Sequence, residues 1–173
     1  MSRADRNPYR SMREAEPEEV WNLIRSIRFV MFTSRDAGGL LQSRPMTVQS
    51  VAQDDEDLWF FMSRASNLVE QLAADPMVNV AYADTSADVY ASVAGEASVV
   101  EDAALKDRLF SALARVWFPC GPADPDLALV RVSMRSVEYW IVRENKLVQI
   151  LKMARAAATG TPPDIGEYGT LTA

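Results

Sequence analysis

Histidine is absent from these 173 residues. That removes Ser-His-Asp and Cys-His nucleophile pairs, imidazole general acid–base catalysis and nearly all zinc and haem sites at once. Cysteine is reduced to Cys120, so no intramolecular disulfide and no CxxC metal or redox pair can form, which excludes a secreted disulfide scaffold. Nothing basic stands beside Cys120 in the chain to activate it, and it reads as a small structural residue. The seven glycines, at 38, 39, 95, 121, 160, 166 and 169, form neither a GxGxxG turn nor a GxxxxGK[ST] loop, so any phosphate must be recognised by side chains. No apolar run approaches the roughly 20 residues a bilayer span needs, and Met1 to Glu19 carries no apolar signal core. The expectation is a cytoplasmic protein with no membrane partner. With 24 acidic against 18 basic residues the net charge is −6, which leaves no basic footprint for nucleic acid. Chemistry in such a chain is expected to come from a cofactor.

What is present is a core: 49% of the residues are hydrophobic, enough for one domain of this length. Residues 1–16 are polar and read as a flexible segment, 17–158 as the folded domain and 159–173 as a Gly/Pro-rich tail. Pro17, Glu18 and Glu19 open a helix with Val20, Leu23, Ile24 and Ile27 on one face. Phe29 to Ser34 and Leu40 to Val51 read as a hairpin turned by Asp36-Ala37-Gly38-Gly39, with the Gly pair supplying positive φ. An acidic turn, Gln53 to Asp57, leads to Leu58 to Ser63 (LWFFMS), apolar on both faces and so a buried strand. Ser66 is placed to cap a short helix with Leu68, Val69 and Leu72, ended by Asp75-Pro76.

Val78 to Ala83 and Val89 to Val100 follow as strands. Asp102 starts a helix carrying Leu105, Leu109, Leu113 and Val116 up to Trp117-Phe118-Pro119. Leu127 to Met134 and Val137 to Val142 read as two further strands and Lys146 to Ala157 as the last helix. Six or seven hairpin-joined strands with interspersed helices do not fit a parallel sheet, and the expectation is a mainly β (α+β) antiparallel barrel or sandwich.

The segments SRPM at 43–46, LWFFMSR at 58–64 and the helix start at Ser66 resemble the FMN-binding split barrels of the pyridoxamine 5'-phosphate oxidase-like family. WFPCGPADPDLALVRV at 117–132, EYW at 138–140 and KMARAAATGTPPDIGEYG at 152–169 resemble its general stress protein branch. The resemblance implies a six-stranded antiparallel split β-barrel, a homodimer, and two flavin sites at the interface built from both chains. FMN is the implied cofactor and FAD the alternative, with NADH, NADPH or another small molecule as reductant.

Carried over residue by residue, Arg44, Met46, Thr47 and Gln49 lie along the flavin. The Arg44 fork suits phosphate or carbonyl oxygens, against the plain reading of a solvated strand Arg. Pro45 in mid-strand points to an edge or a bulge, and a bulge would bring Arg44 and Gln49 to one side despite their parity. Gln49 offers an amide to the polar edge of the ring. Phe61, Met62 and Ser63 match the segment around ring and phosphate, whereas Trp59 and Phe60 read as core. Trp140 is the candidate to cover the flavin from the second subunit, with Trp117 behind it; packing explains either equally well.

The departure from the family lies at Asn67 and Leu68, where a basic residue, typically Lys at the position of Leu68, clamps the phosphate. Either the helix N-terminus and Arg44 hold it unaided, or Arg64 or Lys146 substitutes, or binding is weak. Leu68 is also explained by burial beside Leu72. The basic run Arg143, Lys146, Lys152 and Arg155 reads as a solvated face. The lack of His and of a basic C-terminus argues against oxidation of vitamin B6 phosphates. Three functions stay open: a flavin-dependent oxidoreductase, a non-catalytic flavin-binding stress protein, and a homodimer that has lost its cofactor.

Overall fold

The computed structural model describes residues 13–14, 16–49, 57–142, 146–160 and 166–172. The end of the first hairpin at Val51, most of the acidic turn before Asp57, Arg143 and the middle of the C-terminal segment lie outside these. The elements run β1 (Arg13–Glu14), α1 (Pro17–Ile24), β2 (Phe29–Arg35), β3 (Leu41–Gln49), β4 (Asp57–Ser63), α2 (Asn67–Ala74), β5 (Met77–Asp84) and β6 (Val89–Val100). They continue with α3 (Ala103–Leu109), α4 (Ala114–Trp117), β7 (Leu127–Ile141), α5 (Lys146–Thr159) and β8 (Glu167–Thr172). Among the described residues no helix is long and apolar enough to cross a membrane.

Strands β7-β4-β3-β2-β5-β6 are hydrogen-bonded in that order, and β6 pairs back onto β7, which closes a six-stranded antiparallel barrel. Its interior holds Phe32, Leu58, Phe60, Val80, Val93, Val130, Val132 and Tyr139, all fully buried, with the Phe32 and Phe60 rings edge to face at 5.1 Å. Val20 and Ile24 of α1 and Leu68 and Leu72 of α2 join that core, as their helical spacing predicts. β4 is buried on both faces. Leu58, Phe60 and Met62 point into the barrel, while Trp59 and Phe61 form a second cluster with Leu127, Leu129 and Ala114.

β7 is one continuous strand where the sequence suggested two. Leu127 to Ser133 pair with β4, Ser136 to Ile141 pair with β8, and β6 runs along the other edge throughout. Arg135, opposite no residue of β6, is the bulge at the changeover, since Ala94 faces Ser136 and Gly95 faces Met134. The close approach there requires glycine: a Cβ on Gly95 would stand 2.5 Å from the Ser133 carbonyl oxygen and 2.8 Å from Val132 Cγ1. The segment read as a Gly/Pro-rich tail contributes β8, whose Gly169 lies against the Tyr139 ring, and β1 pairs with it in parallel.

The helix expected from Asp102 to Phe118 is broken. Asp102 does cap it, accepting from the Leu105 amide at 2.9 Å, but Phe110 turns extended and packs on Phe61 at 5.9 Å. Ser111 restarts the chain as α4 by accepting from the Ala114 amide at 3.2 Å. Tertiary burial of one aromatic ring thus overrides a regular leucine spacing. In the first hairpin only Gly39 of the Gly pair has positive φ, and Asp36 Oδ1 closes the turn by accepting from the Gly38 and Leu40 amides.

Two substitutions test this packing. Gly95→Ala should lower stability by about 1–3 kcal/mol, the cost of overpacking against fixed backbone, read as a lower urea midpoint at unchanged slope. Leu68→Lys places an ammonium where the side chain is 6% exposed, and should cost about 2 kcal/mol or more in the same assay. A loss below about 0.5 kcal/mol would mean the ammonium escapes the core.

Candidate functional site

The barrel is incompletely zipped on one side. Among the described residues β3 pairs with β2 along seven positions but with β4 only at Val48↔Phe60 and Gln49↔Trp59. The β3–β2 register is unbroken, so no bulge occurs at Pro45, and of the two readings, edge or bulge, the edge is the one observed. The ladder bonds Val48 N–H to Arg28 O and Asp36 N–H to Leu40 O put the bonded pairs at even residues of β3. The missing amide proton of Pro45 therefore falls on the free edge, where none is needed.

A cavity of about 770 Å³ lies along that free edge. Because it wraps the edge rather than one face, both parities of β3 reach it: Arg44 and Met46 from one, Thr47 and Gln49 from the other. Phe61, Met62 and Ser63 at the end of β4 supply another wall, and Asn67 and Leu68 at the start of α2 supply one end. Trp117 stands at the rim on α4, 74% exposed, near Phe118 and Leu113. Trp140 is not brought to this cavity. It stands on the face of β7 opposite Val137, Tyr139 and Ile141, in register between Tyr90 of β6 and Tyr168 of β8.

Gln49 is the buried polar group of the site, 3% exposed. Its amide nitrogen donates to Thr47 O at 3.2 Å, and its oxygen accepts from the Ser111 hydroxyl at 3.5 Å. Both contacts are long, so this amide retains hydrogen-bonding capacity for a ligand. Arg44 is oriented by neutral acceptors: Nη1 donates to Ser34 Oγ at 3.2 Å, and Nη2 donates to Gln42 Oε1 at 3.1 Å and Gln71 Oε1 at 3.3 Å. Among the described residues it has no carboxylate partner. A guanidinium held by neutral dipoles keeps its full charge for an incoming oxygen.

At the α2 end the arrangement differs from expectation. Ser66 occupies the cap position but makes no cap bond; its hydroxyl donates to Ser63 O at 2.6 Å. Asp126, from the loop before β7, accepts from the Ala65 amide at 2.9 Å and, with Asp124, lines the cavity. A hydrogen bond from the Ser63 hydroxyl, then one from the Ala65 amide, hold the Asp126 carboxyl below the ordinary carboxylate range. The proposed substitutes for a clamping Lys are elsewhere. Arg64 pairs with Glu101 at 2.8 Å and Lys146 with Asp88 at 2.6 Å, and neither lines the cavity.

The sequence reading overlooked Ser34, Gln71, Asp124 and Asp126. Gln71 was within reach, one helical turn beyond Asn67. Asp126 was not, because only the pairing of Ser63 with Leu127 carries it to the start of α2.

In solved structures the same fold recurs. A protein from Jannaschia sp. CCS1, provisionally named general stress protein 26, superposes with a TM-score of 0.70 at 27% identity, covering 90% of this chain and 96% of that one. The general stress FMN/FAD binding protein of Xanthomonas citri gives 0.64 at 30% identity, covering 75% and 89%. Protein bli-3 of Neurospora crassa is 28% identical over 158 residues, 86% of this chain and 76% of its own length. The profile described as pyridoxamine 5'-phosphate oxidase like matches residues 15–164, and with it the split barrel and its open-edge cavity place this chain in the pyridoxamine 5'-phosphate oxidase-like family.

Proposed function

We propose that this chain binds a flavin in the open-edge cavity, FMN or FAD being the forms the family implies, and uses it as an oxidoreductase of the general stress protein type. The observation that carries the reading is the cavity itself. Its volume of about 770 Å³ is that of a small-molecule site. Its lining joins an apolar stretch from Met46, Phe61, Met62 and Leu68 to polar groups that include the Gln49 amide and the Arg44 fork. A flat, amphipathic ring with carbonyl and ring-nitrogen edges is the chemistry such a lining selects. The Xanthomonas citri relative is described as binding FMN/FAD.

Bound there, a flavin supplies hydride or electron transfer, and the protein's part is to hold, orient and keep water away. Phe61 and Met62 give the apolar bed, Gln49 the amide contact, and Arg44 the positive charge that favours a reduced, electron-rich ring or an anionic side group. NADH, NADPH or another small-molecule reductant is the proposed electron source.

A second copy of the chain is proposed to complete the site. Phe29 and Trp117, 66% and 74% exposed, leave the cavity rim apolar and uncovered within one chain. Trp140 is then a covering residue contributed by the partner. A second reading, a flavin protein without turnover, is favoured by buried Leu68 at the position where the family carries a phosphate-clamping Lys.

Binding should appear as visible flavin absorption and a raised melting temperature, equivalent to about 2.7 kcal/mol at a hundredfold excess over Kd. Arg44→Ala should remove about 1.5 kcal/mol or more of binding free energy. No shift with riboflavin, FMN or FAD would refute the flavin reading, and bound flavin that neither NADH nor NADPH reduces would favour the non-catalytic one. Light scattering should give twice the 19.2 kDa chain mass, and a monomer at micromolar concentration would remove the composite site.

A further inference from the structure

We propose that Gln71, Gln42 and Ser34 are positioning residues that hold Arg44 without neutralising it, so that its charge is reserved for negative charge on the bound flavin. This rests on the flavin reading above and goes beyond it by assigning the side chains that decide how much of that charge the cavity offers.

A carboxylate is the strongest side-chain partner a guanidinium can take, and a bidentate pair would leave little charge for a ligand. Two stand one side chain or one helical turn away from the groups that hold Arg44, and both are turned to other donors. Asp36 Oδ2 accepts from Gln42 Nε2 at 2.8 Å, and Gln42 Oε1 in turn accepts from Arg44 Nη2 at 3.1 Å. The amide thus stands between the acid and the cation. Asp75, one turn beyond Gln71, accepts from Arg35 Nε at 3.2 Å with one oxygen and from the Met77 amide at 3.1 Å with the other. Asp124 and Asp126 line the cavity too, but they accept from the Asp126 and Ala65 amides, both at 2.9 Å. Among the described residues no carboxylate forms an ion pair with Arg44.

Ser34, only 1% exposed, ties the cradle together. Its hydroxyl donates to Gln71 Oε1 at 3.4 Å and accepts from Arg44 Nη1 at 3.2 Å, while Gln71 Oε1 also accepts from Arg44 Nη2 at 3.3 Å. Both terminal nitrogens are therefore oriented from β2, β3 and α2 by groups of no net charge. All these contacts lie within one chain, so the cradle is complete before a second copy covers the rim. Exchanging the Gln71 amide for a carboxylate of the same length would keep the acceptor and cancel the charge.

The test is Gln71→Glu in the full-length protein, titrated with FMN and riboflavin by quenching of flavin fluorescence. Where the charge serves the phosphate, FMN should weaken on the order of tenfold while riboflavin stays within about twofold. Where it serves the reduced ring, both oxidised flavins should bind as before and the midpoint potential of the bound flavin should fall. In either case the flavin-free variant should melt no lower than wild type, because an ion pair replaces a neutral contact. Should it melt lower, Gln42→Glu, at an exposed position, carries the same test. In an Arg44→Ala background Gln71→Glu should lose its effect, since the two residues act as one unit. The inference is overturned, and the flavin reading left standing, by wild-type binding with neither affinity nor potential changed in Gln71→Glu. Equal weakening of both flavins at an unchanged potential, or an effect of the same size without Arg44, overturns it as well. Failure of both flavins to bind the wild type would overturn both.

Discussion

The pairing of β7 on both its edges is the constraint on which the rest of the molecule depends. Its first half joins β4 to β6 and so closes the barrel, and its second half carries β8 outward from the same edge. One strand can change partner in this way because Arg135 is bulged out and Gly95 opposite has no side chain to obstruct it. Once β7 and β4 are locked, β4 is buried on both faces. Phe61 is then available both to the outer cluster and to the cavity wall.

Closure on that side leaves the opening between β3 and β4. Their short pairing exposes an edge of β3 that elsewhere would invite another strand. Here the edge is blunted by Pro45 and lined by a cavity, so side chains from both faces of one strand reach the same space. The same opening explains how Arg44 and Gln49, of opposite parity, come to one site without distorting the ladder.

The electrostatics of the cavity are polarised by short-range hydrogen bonding rather than by net charge. Arg44 is held by three neutral side chains and has no carboxylate partner among the described residues, while the Asp126 carboxylate accepts from the Ala65 amide in the same cavity lining. A cation and a carboxylate that do not neutralise one another present a ligand with a directional set of donors and acceptors.

Much of this was legible in the order of residues. The double-sided apolar run LWFFMS announced a buried strand, the spacing of Val20, Leu23 and Ile24 a helix packed on a core, and Asp75-Pro76 the end of α2. The residues of the cavity wall, from Arg44 to Leu68, followed from a resemblance carried by local segments. Leu68 shows the boundary: its identity was readable, but whether it was a lost ligand or a core residue depended on what packs against it.

The break at Phe110 and the single long β7 were not legible, since each is decided by a contact with a residue far along the chain. Asp126 is the sharpest case. It lies 61 positions from Ala65, and only strand pairing across the barrel brings its carboxylate to the start of α2. Periodicity and local propensity are properties of neighbours in sequence, so the sequence by itself determined the elements and their apolar faces. Which charges share a cavity is a property of register, and that only the closed barrel decided.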